Sequence, residues 1–154
     1  MQLLSELSVE RSQEPLTIAI PPNFKTLRLL VAGELEAMNE DQRCLFTLND
    51  ITKGYKSFVN FYGDDNRGEW DENGFYLGRN GWHINCDLFA DYTFTTGIIS
   101  NKVLGYGHAT FAMADGRLVG FEGHGALRTN AVLKSLTFAC SGGIFSGSLR
   151  VLGI

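Results

Sequence analysis

The chain has 154 residues, of which 44% are hydrophobic and 12% aromatic, so it is long enough and apolar enough to bury a core as one domain. Its formal net charge of −4 offers no basic surface to a phosphate backbone, which argues against nucleic-acid binding. Glu6 and Glu10 interrupt the first apolar residues, which argues against a secretory signal, and no apolar run is long enough to span a membrane. We therefore expect a soluble protein that is made in a cytoplasm and is not inserted in a membrane.

The first segment, residues 1–14, is polar and only weakly periodic. Leu3, Leu4 and Leu7 could share one side of a short helical turn. Two interpretations stay open: a frayed arm, or an arm whose leucines bind a neighbouring subunit and become ordered there. The sequence therefore predicts an N-terminal arm, residues 1–14, in front of a domain that comprises residues 15–154.

From Pro15 onward, apolar residues alternate with polar ones at the period of a β-strand. The first predicted strands are residues 16–20, 26–31, 43–48 and 55–62. Between the second and third of these strands, residues 33–42 carry four acidic residues and are predicted as a solvated turn.

The longest polar stretch, residues 63–74, is rich in carboxylates and suggests a calcium loop. The spacing fails the EF-hand pattern, because the glycine comes one position early and no bidentate glutamate follows at the required distance. We predict a solvated loop and no metal site.

Three aromatic residues near this loop are candidates for ligand binding: Trp70, Tyr76 and Trp82. Exposed rings beside a polar loop can stack on sugars, and Trp and Tyr are frequent in binding hot spots. In a β-rich domain of this size, the same residues also serve as core or subunit-interface residues. Both interpretations stay open.

The middle of the chain continues the strand pattern. Strands are predicted for residues 90–96, 108–113 and 117–122, with a further start at Ile98-Ile99. Asp115-Gly116 is a strong hairpin-turn signal between two of them. Residues 123–130 contain two glycines and are predicted as a loop.

Catalytic and metal-binding patterns are weak in this sequence. Cys44, Cys86 and Cys140 are far apart and lack the spacing of metal ligands, so we predict buried structural thiols. The three histidines lie on separate segments, and no nucleophile or phosphate-binding motif accompanies them. We predict that the protein is not an enzyme and has no catalytic residues, metal or cofactor.

The last segment, residues 134–154, contains two alternating stretches around Ser141-Gly142-Gly143. Leu136 and Phe138 share one face of the first stretch, and Leu149 and Val151 share one face of the second. Because glycine accepts the backbone angles of a tight turn, we predict a closing hairpin. About ten short strands and frequent turns together predict an all-β fold, a single-domain, jelly-roll-like β-sandwich.

Two motifs resemble a β-domain of tailed-bacteriophage virion structural proteins. Residues 132–154 are similar to its closing segment, in which "S-G-x-F-x-x-G-S" is followed by a terminal "L-Y-G-I". Here Gly142, Phe145, Gly147 and Ser148 stand in the turn, and Leu152 replaces the terminal aromatic residue. Residues 46–50, followed by Tyr55, are similar to the "L-x-L-N-x-D…Y" pattern of the same domains.

This resemblance implies a virion protein, and a capsid decoration (cement) or head-fibre protein is the leading interpretation because only a short segment precedes the domain. The resemblance also implies that the protein forms a homo-oligomer, with a trimer as the favoured state. Its implied partners are the major capsid protein or other virion subunits. Symmetric contacts of this kind need an apolar patch on one face of a sheet. The alternative is a tail-fibre or receptor-binding module that recognises a bacterial surface glycan through Trp70, Tyr76 or Trp82.

Overall fold

A computed structural model of the chain describes residues 1–96 and 101–154. Every regular element in this range is a strand. The strands are β1 (Gln2–Ser12), β2 (Leu16–Ala19), β3 (Thr26–Glu36), β4 (Gln42–Leu48), β5 (Tyr55–Gly63), β6 (Gly68–Asp71), β7 (Phe75–Asn80), β8 (Cys86–Thr95), β9 (Lys102–Met113), β10 (Leu118–Arg128), β11 (Ser135–Cys140) and β12 (Ile144–Gly153). Among the described residues there is no helix of the length and apolarity that a membrane crossing would need.

The strands form two antiparallel sheets that pack face to face. The large sheet has the order β1-β12-β3-β8-β9-β10-β5-β6, and the small sheet has the order β2-β11-β4-β7. The predicted all-β, single-domain β-sandwich is confirmed.

Aromatic rings fill the centre of the core between the sheets. Phe46 of the small sheet lies 4.9 Å from Phe75, measured between ring centroids, and 5.1 Å from Tyr92 of the large sheet. All three side chains are almost completely buried. The alternation that predicted the inward side of the strands therefore places the rings of both sheets in one contiguous cluster.

The predicted closing hairpin is wrong, although its alternation is right. β11 pairs with β2 and β4 in the small sheet, whereas β12 pairs with β1 and β3 in the large sheet. Residues 141–143 thus cross from one sheet to the other. A hairpin and a crossing between sheets have the same sequence pattern. In both, a flexible turn joins two strands whose apolar side chains face the core.

The N-terminal segment differs from the expected arm. Gln2–Ser12 forms β1 at the edge of the large sheet, where it pairs with β12 from Gln2↔Gly153 to Ser12↔Phe145. Leu4 and Leu7 pack against the core, while Leu3 is half exposed. Register shifts within the pairing break the simple alternation, which explains why the segment lacks a strand pattern. That its leucines bind a neighbouring subunit stays a prediction.

Three further segments predicted as turns or loops contain strand. β3 continues through Glu34 to Glu36, β6 lies inside the polar stretch 63–74, and β10 continues through Gly123 and Gly125. A Cβ at Gly125 would lie 2.5 Å from the ring of Phe75, so this glycine makes room for the core. The Asp115-Gly116 hairpin between β9 and β10 is confirmed. The predicted strand start at Ile98-Ile99 lies outside the described residues.

Candidate binding face

The outer surface of the large sheet carries several large, exposed apolar side chains. They project from β5, β6, β8, β9 and β10, at positions that alternate with the buried core residues of the same strands. We call this surface the aromatic face. Its large exposed members are Tyr62, Trp70, Phe89, Leu104, Tyr106 and Leu118.

Four rings on this face form a line across neighbouring strands, which we call the aromatic row. In the sheet register, Tyr106 of β9 is opposite His124 of β10, His124 is opposite Phe58 of β5, and Phe58 is opposite Trp70 of β6. The Phe58 ring lies 4.9 Å from Trp70 and 5.5 Å from His124, measured between centroids. Strands are about 4.8 Å apart, so the row is about 14 Å long.

The charged residues on and beside the aromatic face include one close ion pair. Arg28 and Asp91 form a two-point ion pair in which Nε donates to Oδ1 over 2.7 Å. The hydrogen bond to Asp91 is the main reason that the pKa of Arg28 is raised. His124 Nε2 lies 3.9 Å from Glu122 Oε1. A polar row, formed by Asp91, His108, Glu122 and Asn60 on adjacent strands, separates the aromatic row from Phe89, Tyr62 and Leu118. The face is therefore a mixed surface of apolar rows and charged residues.

The structure does not bring the three predicted glycan-binding residues together. Trp70 is 61% exposed and belongs to the aromatic row. Tyr76 is fully buried, because β7 is covered on both sides, and this excludes it from any surface site. Trp82 is partly buried beneath Arg117, whose guanidinium carbon lies 4.0 Å from the ring centroid.

Sequence reasoning missed the other members of the aromatic row. Phe58 could have been found, since the alternation that places Val59 and Phe61 in the core leaves Phe58 on the opposite side. Tyr106 lies before the predicted strand 108–113, and His124 lies in a segment predicted as a loop. No local signal identified either of them.

Two carboxylates of the polar stretch 63–74, those of Glu69 and Asp71, join the two sheets. Glu69 of β6 accepts hydrogen bonds from Tyr76 Oη and from Arg79 Nη1 of β7, both over 2.6 Å. Asp71 of β6 accepts one from Arg43 Nη1 of β4 over 2.8 Å. These contacts join the edge of the large sheet to the small sheet, so the carboxylates have a structural role.

The electrostatics of Glu69 agree with that role. Partial burial opposes ionisation of its carboxyl, but the hydrogen bond from Tyr76 and the charges of nearby arginines outweigh burial and lower its pKa. Burial and the hydrogen bond to Glu69 raise the pKa of Tyr76. In residues 1–96 and 101–154, no group of three acidic, histidine or cysteine side chains is placed to hold a metal ion.

The two motifs that carry the phage resemblance contact each other. The side chain of Asn49, at the end of the first motif, accepts a hydrogen bond from the Lys134 backbone N–H over 2.7 Å and donates one to the Val132 carbonyl over 2.9 Å. Tyr55 Oη accepts from the Leu48 N–H over 2.9 Å and donates to the Ile51 carbonyl over 2.7 Å. These bonds fix the turn between β4 and β5 against the start of the last segment.

The remaining predicted residues are structural or stay separate. Cys44 and Cys86 are buried and Cys140 is half-buried, all as free thiols. His83 lies in the connection between β7 and β8, His108 lies on β9 and His124 on β10. Comparison of the chain with known protein families, with curated proteins and with solved structures found no match.

Proposed function

We propose that the chain is a structural protein of a bacteriophage virion, a capsid decoration (cement) or head-fibre protein that works as a homo-oligomer. The resemblance of residues 46–55 and 132–154 to virion β-domains supports the phage assignment. The observation that carries the proposal is the aromatic face, because it exposes rows of apolar side chains that symmetric contacts between copies can bury.

Energetics favour covering this face. Full burial of one large apolar side chain contributes about 1.5–3 kcal/mol, and the six exposed members are about half exposed in the isolated chain. Their combined contribution, several kcal/mol, is of the size needed to offset part of the entropy lost on association. The broad surface of a sheet suits a protein partner more than a small molecule, which usually binds in a cleft.

A second copy of the chain is the partner that the charges favour. Exposed charges of both signs are interspersed on the face, Lys56 and Arg128 with Asp87 and Glu122, and the ion pair Arg28–Asp91 lies beside them. A partner surface therefore needs no excess of either charge, and two copies can meet without strong repulsion.

Attachment to the shell is assigned to the edge formed by β1. This strand has unpaired backbone groups on its outer side, and Leu3 is half exposed there. Deleting residues 1–14 would remove a whole strand from the sheet, so a point change at Leu3 is the cleaner probe.

The test is the location and occupancy of the protein on purified particles. We expect mass spectrometry to find the chain in the virion, in a copy number that matches a symmetric shell or fibre. Leu3→Glu should lower binding to heads that lack the protein, while Val132→Glu, an exposed change elsewhere, should not. Absence from purified particles would overturn the virion assignment, and equal binding of both variants would overturn the role of the β1 edge.

The aromatic row favours a second candidate function, recognition of a bacterial surface glycan by a tail-fibre or receptor-binding module. Sugar rings present apolar C–H faces that stack on exposed aromatic rings, and four rings in line offer a platform for a chain of sugars. On a glycan array, Trp70→Ala should abolish binding, whereas Trp82→Ala is the matched control because Trp82 lies outside the row beneath Arg117. No signal above background for the unmodified protein would exclude this candidate.

A further inference from the structure

Two of the three thiols are direct neighbours in the small sheet. Cys44 of β4 and Cys140 of β11 are opposite each other in the register, and their Sγ atoms are 3.1 Å apart. Cys44 is completely buried, whereas Cys140 is partly accessible. No local sequence pattern predicts this pair, because the two residues are 96 positions apart.

The backbone geometry at the pair suits a disulfide. The Ser141 N–H donates to the Arg43 carbonyl over 2.9 Å, so Arg43 and Ser141 form a hydrogen-bonded pair of the ladder. The adjacent pair, Cys44 and Cys140, is then a non-hydrogen-bonded one, in which Cα atoms are about 4.5 Å apart. Disulfides span Cα separations of about 4.4–6.8 Å, so the bond can form without moving the strands.

We propose that Cys44 and Cys140 are a redox site that forms a cross-strand disulfide when the protein meets a mild two-electron oxidant, such as hydrogen peroxide. This inference is independent of the proposed function. It concerns the covalent state of the fold, and it holds whether or not the protein is part of a virion.

The accessible thiol reacts first. The Cys140 sulfur attacks one peroxide oxygen, the O–O bond breaks, and water leaves while Cys140 becomes a sulfenic acid. The Cys44 sulfur then attacks the Cys140 sulfur, and the hydroxide that leaves takes the Cys44 proton to form a second water. Two thiols lose two electrons, one peroxide gains them, and the products are one disulfide and two waters.

Burial slows the oxidation of the reduced pair. The hydrogen bond between the two thiols and the burial of Cys44 raise the pKa of Cys44 well above its usual value. The thiolate is the nucleophile in such exchange, so a raised pKa slows the second step. We therefore expect the thiols to persist in a reducing cytoplasm and the disulfide to form over longer exposure to an oxidant.

Cys86 provides an internal control. It is buried on β8, and burial is the main reason that its pKa is raised to about 12. Its Sγ accepts a hydrogen bond from Asn80 Nδ2 over 3.5 Å and not from another cysteine. It should remain a thiol under conditions that oxidise the pair.

The experiment follows the three thiols in purified protein before and after incubation with hydrogen peroxide. In the denatured protein the count of free thiols should fall from three to one, and peptide mapping should find Cys44 joined to Cys140. The oxidised protein should melt about 10 °C higher than the reduced one, because the bond closes a long loop in the unfolded chain. Addition of dithiothreitol should reverse both changes.

Variants make the test specific. Cys86→Ser should still form the disulfide and show the melting shift, whereas Cys140→Ser should show neither. Cys140→Ser changes only a half-buried side chain, so it keeps the test valid if a change at the buried Cys44 prevents folding. Three free thiols after oxidation, a bond that includes Cys86, or oxidation of Cys140 to a sulfinic acid without a bond would each overturn the proposal.

Discussion

At the scale of single residues, Gly147 sets how closely β12 and β3 approach. A Cβ at this position would lie 2.2 Å from the Ala32 carbonyl oxygen and 2.6 Å from Gly33 Cα. Both contacts are with backbone, which cannot move aside without disturbing the ladder. We therefore expect Gly147→Ala to lower the free energy of unfolding by about 1–3 kcal/mol, as overpacking of a core does.

Urea denaturation measures this loss, and the chain offers a matched control. At Gly120, on β10, a Cβ would meet only the Ala109 carbonyl oxygen, at 4.0 Å. Gly120→Ala should leave stability unchanged or raise it slightly, since alanine restricts the unfolded chain. Equal effects of the two changes would show that the close approach of β12 and β3 is not what requires glycine at residue 147.

Glu69 makes stability depend on pH. Its pKa is lower in the folded protein than the ordinary value of 4.5, so the unfolded state binds a proton more readily than the folded state does. The contribution of this carboxylate is therefore complete above about pH 4.5 and is lost as the pH falls below that value. Replacing Glu69 with an amide should remove this part of the dependence.

The measurement compares urea unfolding of the wild-type protein and Glu69→Gln between pH 6 and pH 3. At pH 6 we expect the wild type to have a larger free energy of unfolding than Glu69→Gln. At pH 3 this difference between the two proteins should be smaller. Other carboxylates titrate in both proteins, so the difference isolates Glu69. A gap that stays constant with pH would mean that the ion pairs of Glu69 do not stabilise the fold.

At the scale of elements, β1 is the strand whose formation is least evident from the sequence. It has one neighbour, β12, and its leucines are only partly buried. We expect the β1 amides that face β12 to exchange with deuterium more slowly than those of the turn 37–41, because ladder hydrogen bonds protect them. The comparison is made on dilute protein, so that association does not add protection. Exchange as fast as in the turn would restore the interpretation as a frayed arm.

Local alternation predicted the inward faces of β2–β5 and of the last two strands, but not which strands are neighbours. Pairing depends on contacts between distant parts of the chain, such as β1 with β12, and no local pattern encodes them. The role of a glycine in the sequence was ambiguous for the same reason. Gly125 lies in a strand and makes room for the ring of Phe75, whereas the sequence predicted a loop there. Of the aromatic row, Trp70 was predicted and Phe58 was accessible from alternation. That Phe58 lies opposite His124 is evident only from the folded sheet.

At the scale of the whole molecule, the sandwich is asymmetric: in residues 1–96 and 101–154 eight strands face four, and the outer surface of the large sheet carries the aromatic face. We expect the protein to form a homo-oligomer through this face, because association removes apolar surface from water. A trimer is the oligomeric state that we favour. The double variant Trp70→Ala and Tyr106→Ala truncates two of the most exposed rings, so it should shift the molar mass measured by light scattering toward the monomer.

Val132→Ala is the control for that experiment, because it truncates a side chain that is 65% exposed but lies outside the aromatic face. It should leave the molar mass unchanged. The two side chains that the double variant truncates point away from the core. The monomeric double variant should therefore melt at nearly the same temperature as the monomeric wild type. A wild-type protein that is monomeric at high concentration would contradict self-association, and an oligomer that survives the double variant would place the contact elsewhere. In the first case the same aromatic row would be free for a glycan, so the array experiment with Trp70→Ala would decide its role.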